Sequence, residues 1–254
     1  MRTLLPGSAA DQHADIELCL FGGFSLYSGG EDVALPRHAR RVVAYLSLDN
    51  TCDTDCGRDL VADRLWPDAP MERARASLRT ALWRIRQVCP AVVTSDSKGL
   101  TLAESVWVDV HHFRSVAEHV IALKVDSDPH DLRLMRSAVE LLPGWDEDWL
   151  TLVREQLRHL RLHALEASAR RMLRREHHSD AIDVMLAVVA EEPLRESAQA
   201  ALIEAHLAEG NVAEARHQFE AYSAQLWQEL RLHPSCELVR KVGLMAGHTG
   251  SPRI

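Results

Sequence analysis

The sequence predicts a mainly α-helical fold, in which an α+β part at the N terminus is followed by an all-α part. Between Ile16 and residue 109, short alternating apolar runs and turn signals surround three helical patterns. Beyond residue 109, apolar residues recur at helical spacing, and a repeat with a period of 34 residues appears near the C terminus. We therefore expect a disordered tail at 1–15, domains at 16–109 and 110–246, and a second tail at 247–254.

Composition limits the classes of protein to which this chain can belong. Its 254 residues suffice for two domains with separate cores, and no apolar run is long enough to span a membrane. The first residues lack the apolar core of a signal peptide, and five cysteines without regular spacing are typical of reduced thiols. We therefore expect a cytoplasmic protein with no membrane partner. The net charge of −8 means that contact with nucleic acid requires a local basic surface.

The first domain begins with strand signals and continues with helices. Ile16, Leu18 and Leu20 alternate with polar residues, and a turn signal at Ser28–Gly30 precedes a short predicted strand at Asp32–Leu35. Helical spacing then predicts helices at His38–Leu48 and Arg58–Leu65. Two prolines in the stretch Trp66–Pro70 end the second helix and precede a third.

The third predicted helix, Met71–Val88, carries five arginines and one acidic residue. Its apolar residues fall on one face at 100° per residue: Ala74, Leu78, Ala81, Leu82, Ile85 and Val88. Polar and aromatic residues fall on the other side, namely Arg73, Arg79, Thr80, Trp83 and Arg84. A helix with these two faces suits the major groove of DNA, although a solvated amphipathic helix has the same pattern.

The sequence after this helix favours the first interpretation. Two short β-type runs, Val92–Thr94 and Leu100–Leu102, surround a polar turn and predict a hairpin, and Val106–Val110 predicts another strand. Strands, three helices and a hairpin in this order predict a winged helix-turn-helix. We expect Arg75 and Arg86 to reach phosphates and Lys98, at the tip of the wing, to contact the DNA backbone. Trp83 either contacts DNA or packs on the wing or the preceding loop.

The second domain is predicted to be all-α. Helical spacing predicts helices at Asp109–Leu123, Pro129–Leu142, Asp148–Arg175, Asp180–Glu191, Pro193–Glu209, Val212–Leu230 and Pro234–Met245. On Asp148–Arg175, the expected apolar stripe includes Trp149, Leu152 and Leu157, opposite a face rich in arginine and histidine. Ala181 aligns with Ala215 at the 34-residue period, which is typical of tetratricopeptide (TPR) helical hairpins; a generic helical bundle is the alternative.

Four motifs together resemble the antibiotic-pathway regulatory proteins of actinomycetes, the SARP family. They are LWPDAP (65–70), SLRTALWRIR (77–86), LLPGW (141–145), and EPLRESA with LIEAHLAEGN (192–211). The resemblance extends from about Ile16 to Pro234. It implies an OmpR-type winged helix followed by a bacterial transcriptional activator domain. It also implies an activator of secondary-metabolite genes that binds promoter direct repeats as a homodimer and recruits RNA polymerase.

Other functional classes have little support in the sequence. No nucleophile motif, catalytic cysteine context or glycine-rich phosphate loop is present, so we expect no enzyme, no catalytic residues and no cofactor. The pairs Cys52/Cys56 and His159/His163 have weak metal-site spacing, and we expect free thiols and solvated histidines instead. The main alternative to DNA recognition is a TPR-like protein-interaction regulator whose winged helix does not read DNA.

Overall fold

The computed structural model describes residues 15–48, 57–95, 99–122, 128–137 and 139–246. These residues form two compact units, each with its own core. The first contains the chain up to Ser115 together with residues 139–157, and the second contains Val116–Ser137 and the residues from Arg158 onward. The predicted fold class is confirmed, because a winged helix-turn-helix precedes a helical array. No helix among the described residues is long and apolar enough to cross a membrane.

The described residues of the first unit form six strands and three complete helices. The strands are β1 (Ile16–Cys19), β2 (Ser25–Ser28), β3 (Glu31–Asp32), β4 (Val93–Ser95), β5 (Leu100–Leu102) and β6 (Val106–Val108). The helices are α1 (Arg37–Leu48), α2 (Arg58–Leu65) and α3 (Met71–Val88). The predicted bounds of α2 and α3 are confirmed to the residue. The predicted strand at Asp32–Leu35 is wrong, since the strand is Glu31–Asp32.

The strands form two small sheets. The larger has the strand order β3-β2-β1-β6, with β6 parallel to β1 and the other pairs antiparallel. The smaller is the hairpin β4–β5, in which Val93 lies opposite Leu102; it is the wing. Alternation along β1 buries Ile16 and Leu18 on one face, as predicted. The three helices bury apolar faces against each other, and α3 packs on both α1 and α2.

Residues 139–157 complete the first unit. Gly22 N donates to Glu140 O at 2.8 Å, Leu142 N donates to Leu20 O at 2.9 Å, and Phe21 pairs with Leu141 as an isolated β-bridge. The predicted helix Pro129–Leu142 is therefore too long: α5 is Pro129–Arg136 and ends with Ser137 in extended conformation. The backbone around Leu141 pairs instead with the chain that follows β1, which helical spacing in the sequence does not reveal.

The second unit is built from packed antiparallel helices. Its elements are α4 (Asp109–Ala122, which begins in the first unit), α5, α6 (Asp148–Arg174, which also begins there), α7 (His178–Glu191), α8 (Glu196–Ala208), α9 (Val212–Leu230) and α10 (Cys236–Ala246). Helix α8 packs against α7, α9 and α10. Tyr222 is buried in this core, where burial and the Glu196 carboxylate, which accepts from its hydroxyl, raise the pKa of Tyr222 to about 12.

Helix α6 differs from its predicted amphipathic pattern. Leu152, expected on the apolar stripe, is 64% exposed, whereas Leu150 is fully buried. The expected arginine face is also partly wrong, since Arg161 and Arg171 are buried. Arg161 donates to Glu191, and buried Glu166 accepts from Arg195, Arg170 and Ser197. Arg161 and Glu166 occupy buried positions here because Glu191, Arg195 and Ser197 supply partners from other parts of the chain.

Candidate nucleic-acid interface

Helix α3 is held in place by its apolar face. Ala74, Leu78, Ala81, Leu82 and Ile85 are buried against α1 and α2, as the sequence predicts. The prediction is wrong for the sixth residue, Val88, which is 48% exposed although Ile85 and Cys89 on either side of it are buried. A helix anchored along one face in this way presents its opposite face to solvent in a fixed orientation.

The exposed face of α3 carries most of the predicted DNA-contacting residues. All of these side chains are exposed: Arg73, Arg79, Thr80, Trp83, Arg84 and Arg86. On the helical wheel, Arg73, Thr80 and Arg84 align within one narrow sector, and Arg79 and Arg86 form a second row about 130° away, at the opposite edge of the exposed face. Both rows of side chains therefore project from one continuous α-helix. Among the described residues, no carboxylate pairs with Arg73, Arg79 or Arg86.

Trp83 lies outside the buried core of the described residues. Its side chain is 52% exposed, and the guanidinium of Arg84 stacks over its ring at 4.7 Å from the centroid. Thr80 Oγ1 donates to the carbonyl of Ala76 at 3.0 Å, which leaves the methyl group and the hydroxyl lone pairs for other contacts. This part of α3 thus presents an aromatic ring, a guanidinium and a methyl group together.

Arg75 differs from the other arginines of α3. Its Nη2 and Nε atoms donate to both oxygens of Asp59 on α2, at 2.6 and 2.8 Å, and its Nη1 donates to Glu72 at 3.2 Å. The hydrogen bond from Arg75 lowers the pKa of the Asp59 carboxyl, and the same bond raises the pKa of the Arg75 guanidinium. Arg75 was predicted to reach a phosphate, and in this structure its charge is already compensated.

Two residues beyond the predicted set belong to the same surface. Gln87 is exposed and lies four residues after Trp83 and seven after Thr80, so it shares their face. Arg58, the first residue of α2, lines a 280 Å³ cavity with Arg79, Trp83 and Arg86. Helical spacing in the sequence is sufficient to find Gln87. The position of Arg58 depends on how α2 packs against α3, which the sequence pattern does not give.

The wing lies beside the start of α2. Arg58 Nη2 donates to Ser95 Oγ, at the end of β4, at 2.6 Å, and the hydroxyls of Thr94 and Thr101 lie 2.7 Å apart across the hairpin. The predicted backbone contact Lys98 lies outside the described residues, as do Cys52 and Cys56. Among the described residues, no cluster of three or more histidine, cysteine, aspartate or glutamate side chains is arranged to hold a metal ion.

Comparison with known proteins identifies the family of this chain. The model of the bacterial transcriptional activator domain matches residues 108–242, which is more than half of the chain. The chain belongs to the bacterial transcriptional activator domain family. Membership of the SARP family, predicted from the motifs, is confirmed by this match together with the first relative described next.

Two relatives extend the comparison to the N-terminal unit. The chain is 28% identical over 244 residues to the regulatory protein AfsR of Streptomyces coelicolor, covering 90% of this chain and 24% of AfsR. The solved structure of Mycobacterium tuberculosis EmbR, in complex with a low-affinity phosphopeptide, matches with a TM-score of 0.75 at 18% identity. That match covers 94% of this chain and 66% of EmbR. The chain therefore spans about a quarter of the length of the curated relative it matches.

Proposed function

We propose that the protein is a sequence-specific DNA-binding transcriptional activator, with α3 as the helix that enters the major groove. The observation that carries this proposal is the exposed face of α3, on which Arg73, Arg79 and Arg86 have no carboxylate partner among the described residues. Unpaired arginines on a rigid helix offer bidentate donors to guanine edges and to phosphates.

Each residue of this surface has a chemical role that fits the proposal. Arg73, Arg79 and Arg84 would donate to base edges, with Thr80 and Trp83 providing apolar contact for a thymine methyl group. Arg86 and Lys98 would contact phosphates and fix the register of the protein on the duplex. Arg75 would have to break its hydrogen bonds with Asp59 before it could contact a phosphate, so we expect it to contribute less to DNA affinity.

Membership of this family supports the wider role. We propose that the protein binds direct repeats at promoters as a homodimer, recruits RNA polymerase and activates secondary-metabolite genes in the cytoplasm. The similarity to AfsR and the family of the helical unit support these proposals. A second protomer also fits the charge distribution, because one basic helix on a chain with net charge −8 provides few phosphate contacts.

A second candidate function is that of a protein-interaction regulator without specific DNA readout. The observation that favours it is an open cavity of 770 Å³ in the helical unit, lined by side chains of α6, α8 and α10 such as Arg174, Ala200 and Leu238. Concave surfaces of stacked helical hairpins commonly bind protein partners. The experiment that tests DNA readout decides between the two candidates.

The test of the proposed function compares two arginine variants on duplexes selected from a random library by the wild-type chain. Arg79→Ala removes a predicted base contact, and Arg216→Ala removes the same charge from an exposed position on α9. Fluorescence anisotropy across a salt series would measure affinity for the selected and for unrelated duplexes. We expect Arg79→Ala to lose about 1–3 kcal/mol on the selected duplex, with Arg216→Ala close to wild type.

Two results would refute the proposal. If the wild-type chain selects no sequence and binds no duplex even at low salt, it does not read DNA by itself. If Arg79→Ala and Arg216→Ala weaken binding equally on all duplexes, α3 supplies only general electrostatic attraction.

A further inference from the structure

Arg41 is a largely buried arginine on α1 with partners from three parts of the first unit. Its Nη2 donates to Glu147 Oε2 at 2.7 Å and to the carbonyl of Leu65 at 2.5 Å, and its Nε lies 2.6 Å from Glu147 Oε1. The guanidinium also stacks over the ring of Trp66, 5.6 Å from its centroid. Side-chain exposure is 19% for Arg41 and 9% for Glu147, so solvent screens this pair only weakly.

The groups held by Arg41 lie at the turn of the helix-turn-helix. Leu65 is the last residue of α2, and Trp66 is its C-terminal cap, with its amide donating to Ala62 O at 3.0 Å. The turn continues through Ala69, whose amide donates to Trp66 O at 3.1 Å, and Pro70 caps the start of α3. The Arg41 guanidinium therefore holds the point from which the chain enters the DNA-reading helix.

Glu147 is itself fixed by residues around it. Its Oε2 accepts from Trp149 Nε1 at 3.2 Å, and the Trp149 ring packs edge-on against Tyr45, with centroids 5.4 Å apart. Trp145 stacks on Phe24 in the same unit, with centroids 6.2 Å apart. Glu147 is therefore a fixed carboxylate that orients the guanidinium of Arg41, whose Nη2 and Nε face its two oxygens. Lysine is a poor replacement, because its ammonium would lose the second nitrogen beside the carboxylate and the stacking of the guanidinium over Trp66.

We propose that Glu147 is a positioning residue for DNA reading, acting through Arg41 on the turn between α2 and α3. The inference rests on the proposed function of α3. Loss of the carboxylate would leave the Arg41 guanidinium buried without its counter-charge and free to leave the Leu65 carbonyl. The start of α3 would then sample several positions. Base contacts require accurate placement of the side chains, so they would be weakened more than phosphate contacts.

The test uses the full chain and three variants. Glu147→Gln removes the charge and keeps a similar shape, and Arg41→Lys keeps the charge and removes the guanidinium. Glu191→Gln is the matched control, because it breaks the ion pair with Arg161 in the second unit. Affinity for a selected duplex and for unrelated duplexes is measured well below the unfolding temperature of every variant, so that all are folded.

We expect Glu147→Gln and Arg41→Lys to lower the ratio of specific to non-specific affinity about tenfold, and Glu191→Gln to leave it unchanged. A merely structural role would lower the unfolding temperature without changing this ratio. An unchanged ratio in Glu147→Gln, on a wild-type chain that does bind specifically, would overturn the inference and leave the proposed function intact. If the wild-type chain shows no specific binding, the proposed function is overturned, and so is the role of Glu147 in DNA reading.

Hydrogen exchange tests the same inference without DNA. The amides of Trp66 and Ala69 are hydrogen-bonded within the turn, so their exchange rates report its order. We expect both amides to exchange about tenfold faster in Glu147→Gln, with amides of α8 unchanged. Equal rates at Trp66 and Ala69 in the variant and the wild type would show that Glu147 does not position the turn.

Discussion

The arginines of α3 divide into two classes according to their neighbours. Arg75 has two carboxylates within hydrogen-bond distance, whereas no described carboxylate pairs with Arg79 or Arg86. An unpaired guanidinium gains the full attraction of a phosphate or base edge, and a paired one must first give up its partner. Net charge in the sequence does not distinguish the two classes, because the partner Asp59 lies on a different helix.

Release of Arg75 is predicted to strengthen non-specific binding. In Asp59→Asn, the neutral amide holds Arg75 weakly, so the guanidinium becomes available to a phosphate. We expect tighter binding to unrelated duplexes at low salt and a salt slope steeper by about one, measured by anisotropy. The control Asp183→Asn removes the same charge from an exposed position on α7. Equal affinities in the two variants would show that the ion pair does not restrain Arg75.

Asp109 gives a prediction about pH. Its Oδ2 accepts from the amides of Leu20 and Phe21 at 2.8 and 2.9 Å, and burial raises the pKa of this carboxyl from 3.8 to about 6. The folded chain then holds the proton more tightly than the unfolded chain, so stability falls as pH rises from about 4 to 6 and levels off above that. The loss corresponds to about 3 kcal/mol.

The difference between the wild type and Asp109→Asn isolates this effect. Asparagine keeps one acceptor oxygen and does not titrate, so other carboxyls cancel in the comparison. Urea unfolding at several pH values should show the wild type losing about 3 kcal/mol relative to the variant between pH 4 and 7. Parallel stability curves would mean that the pKa of Asp109 is the same in the folded and unfolded chains.

At the scale of the element, α6 shows where sequence patterns fail. Leu150 and Leu152 are two residues apart, and helical periodicity alone placed Leu152 in the core. In the structure, Leu150 is fully buried and Leu152 is exposed. Residues 148–157 of α6 belong to one unit and its later residues to the other. Because different neighbours pack on the two parts, the buried residues of α6 do not follow a single apolar stripe.

The two leucines of α6 form a matched pair for a stability test. Leu150→Ala removes three side-chain carbons from the core, leaving a methyl group, and should cost about 2–5 kcal/mol. Leu152→Ala changes an exposed side chain and should stay within about 0.5 kcal/mol of the wild type. Chemical denaturation followed by circular dichroism measures both. Similar losses in the two variants would contradict the burial assigned to this helix.

Helices whose ends are marked by proline, glycine or asparagine were predictable from the sequence. The bounds of α2, α3 and α9 were predicted to the residue, because Trp66–Pro70 separates the first two and Gly210 with Asn211 precedes the third. The face of α3 followed from its period. The Asp59–Arg75 pair, Arg58 in the cavity and the contact of Glu147 with Arg41 depend on packing between distant segments, and no local pattern encodes them.

At the scale of the whole chain, charge is concentrated where the proposed function needs it. The chain has a net charge of −8, while α3 carries five arginines and one glutamate. An acidic protein repels DNA in most orientations, so productive encounters favour the arginine face of α3. This distribution predicts low general affinity, strong dependence on the target sequence and a need for a second protomer or RNA polymerase at a promoter.

Chemical protection of guanine N7 tests the central claim, the entry of α3 into the major groove, most directly, because this atom is accessible only there. On a duplex selected by the wild-type chain, we predict protection of guanines in one stretch of major groove per protomer. Arg79→Ala should lose protection of particular guanines while the others stay protected. Absence of N7 protection by a bound wild-type chain, or a pattern unchanged in Arg79→Ala, would contradict the account.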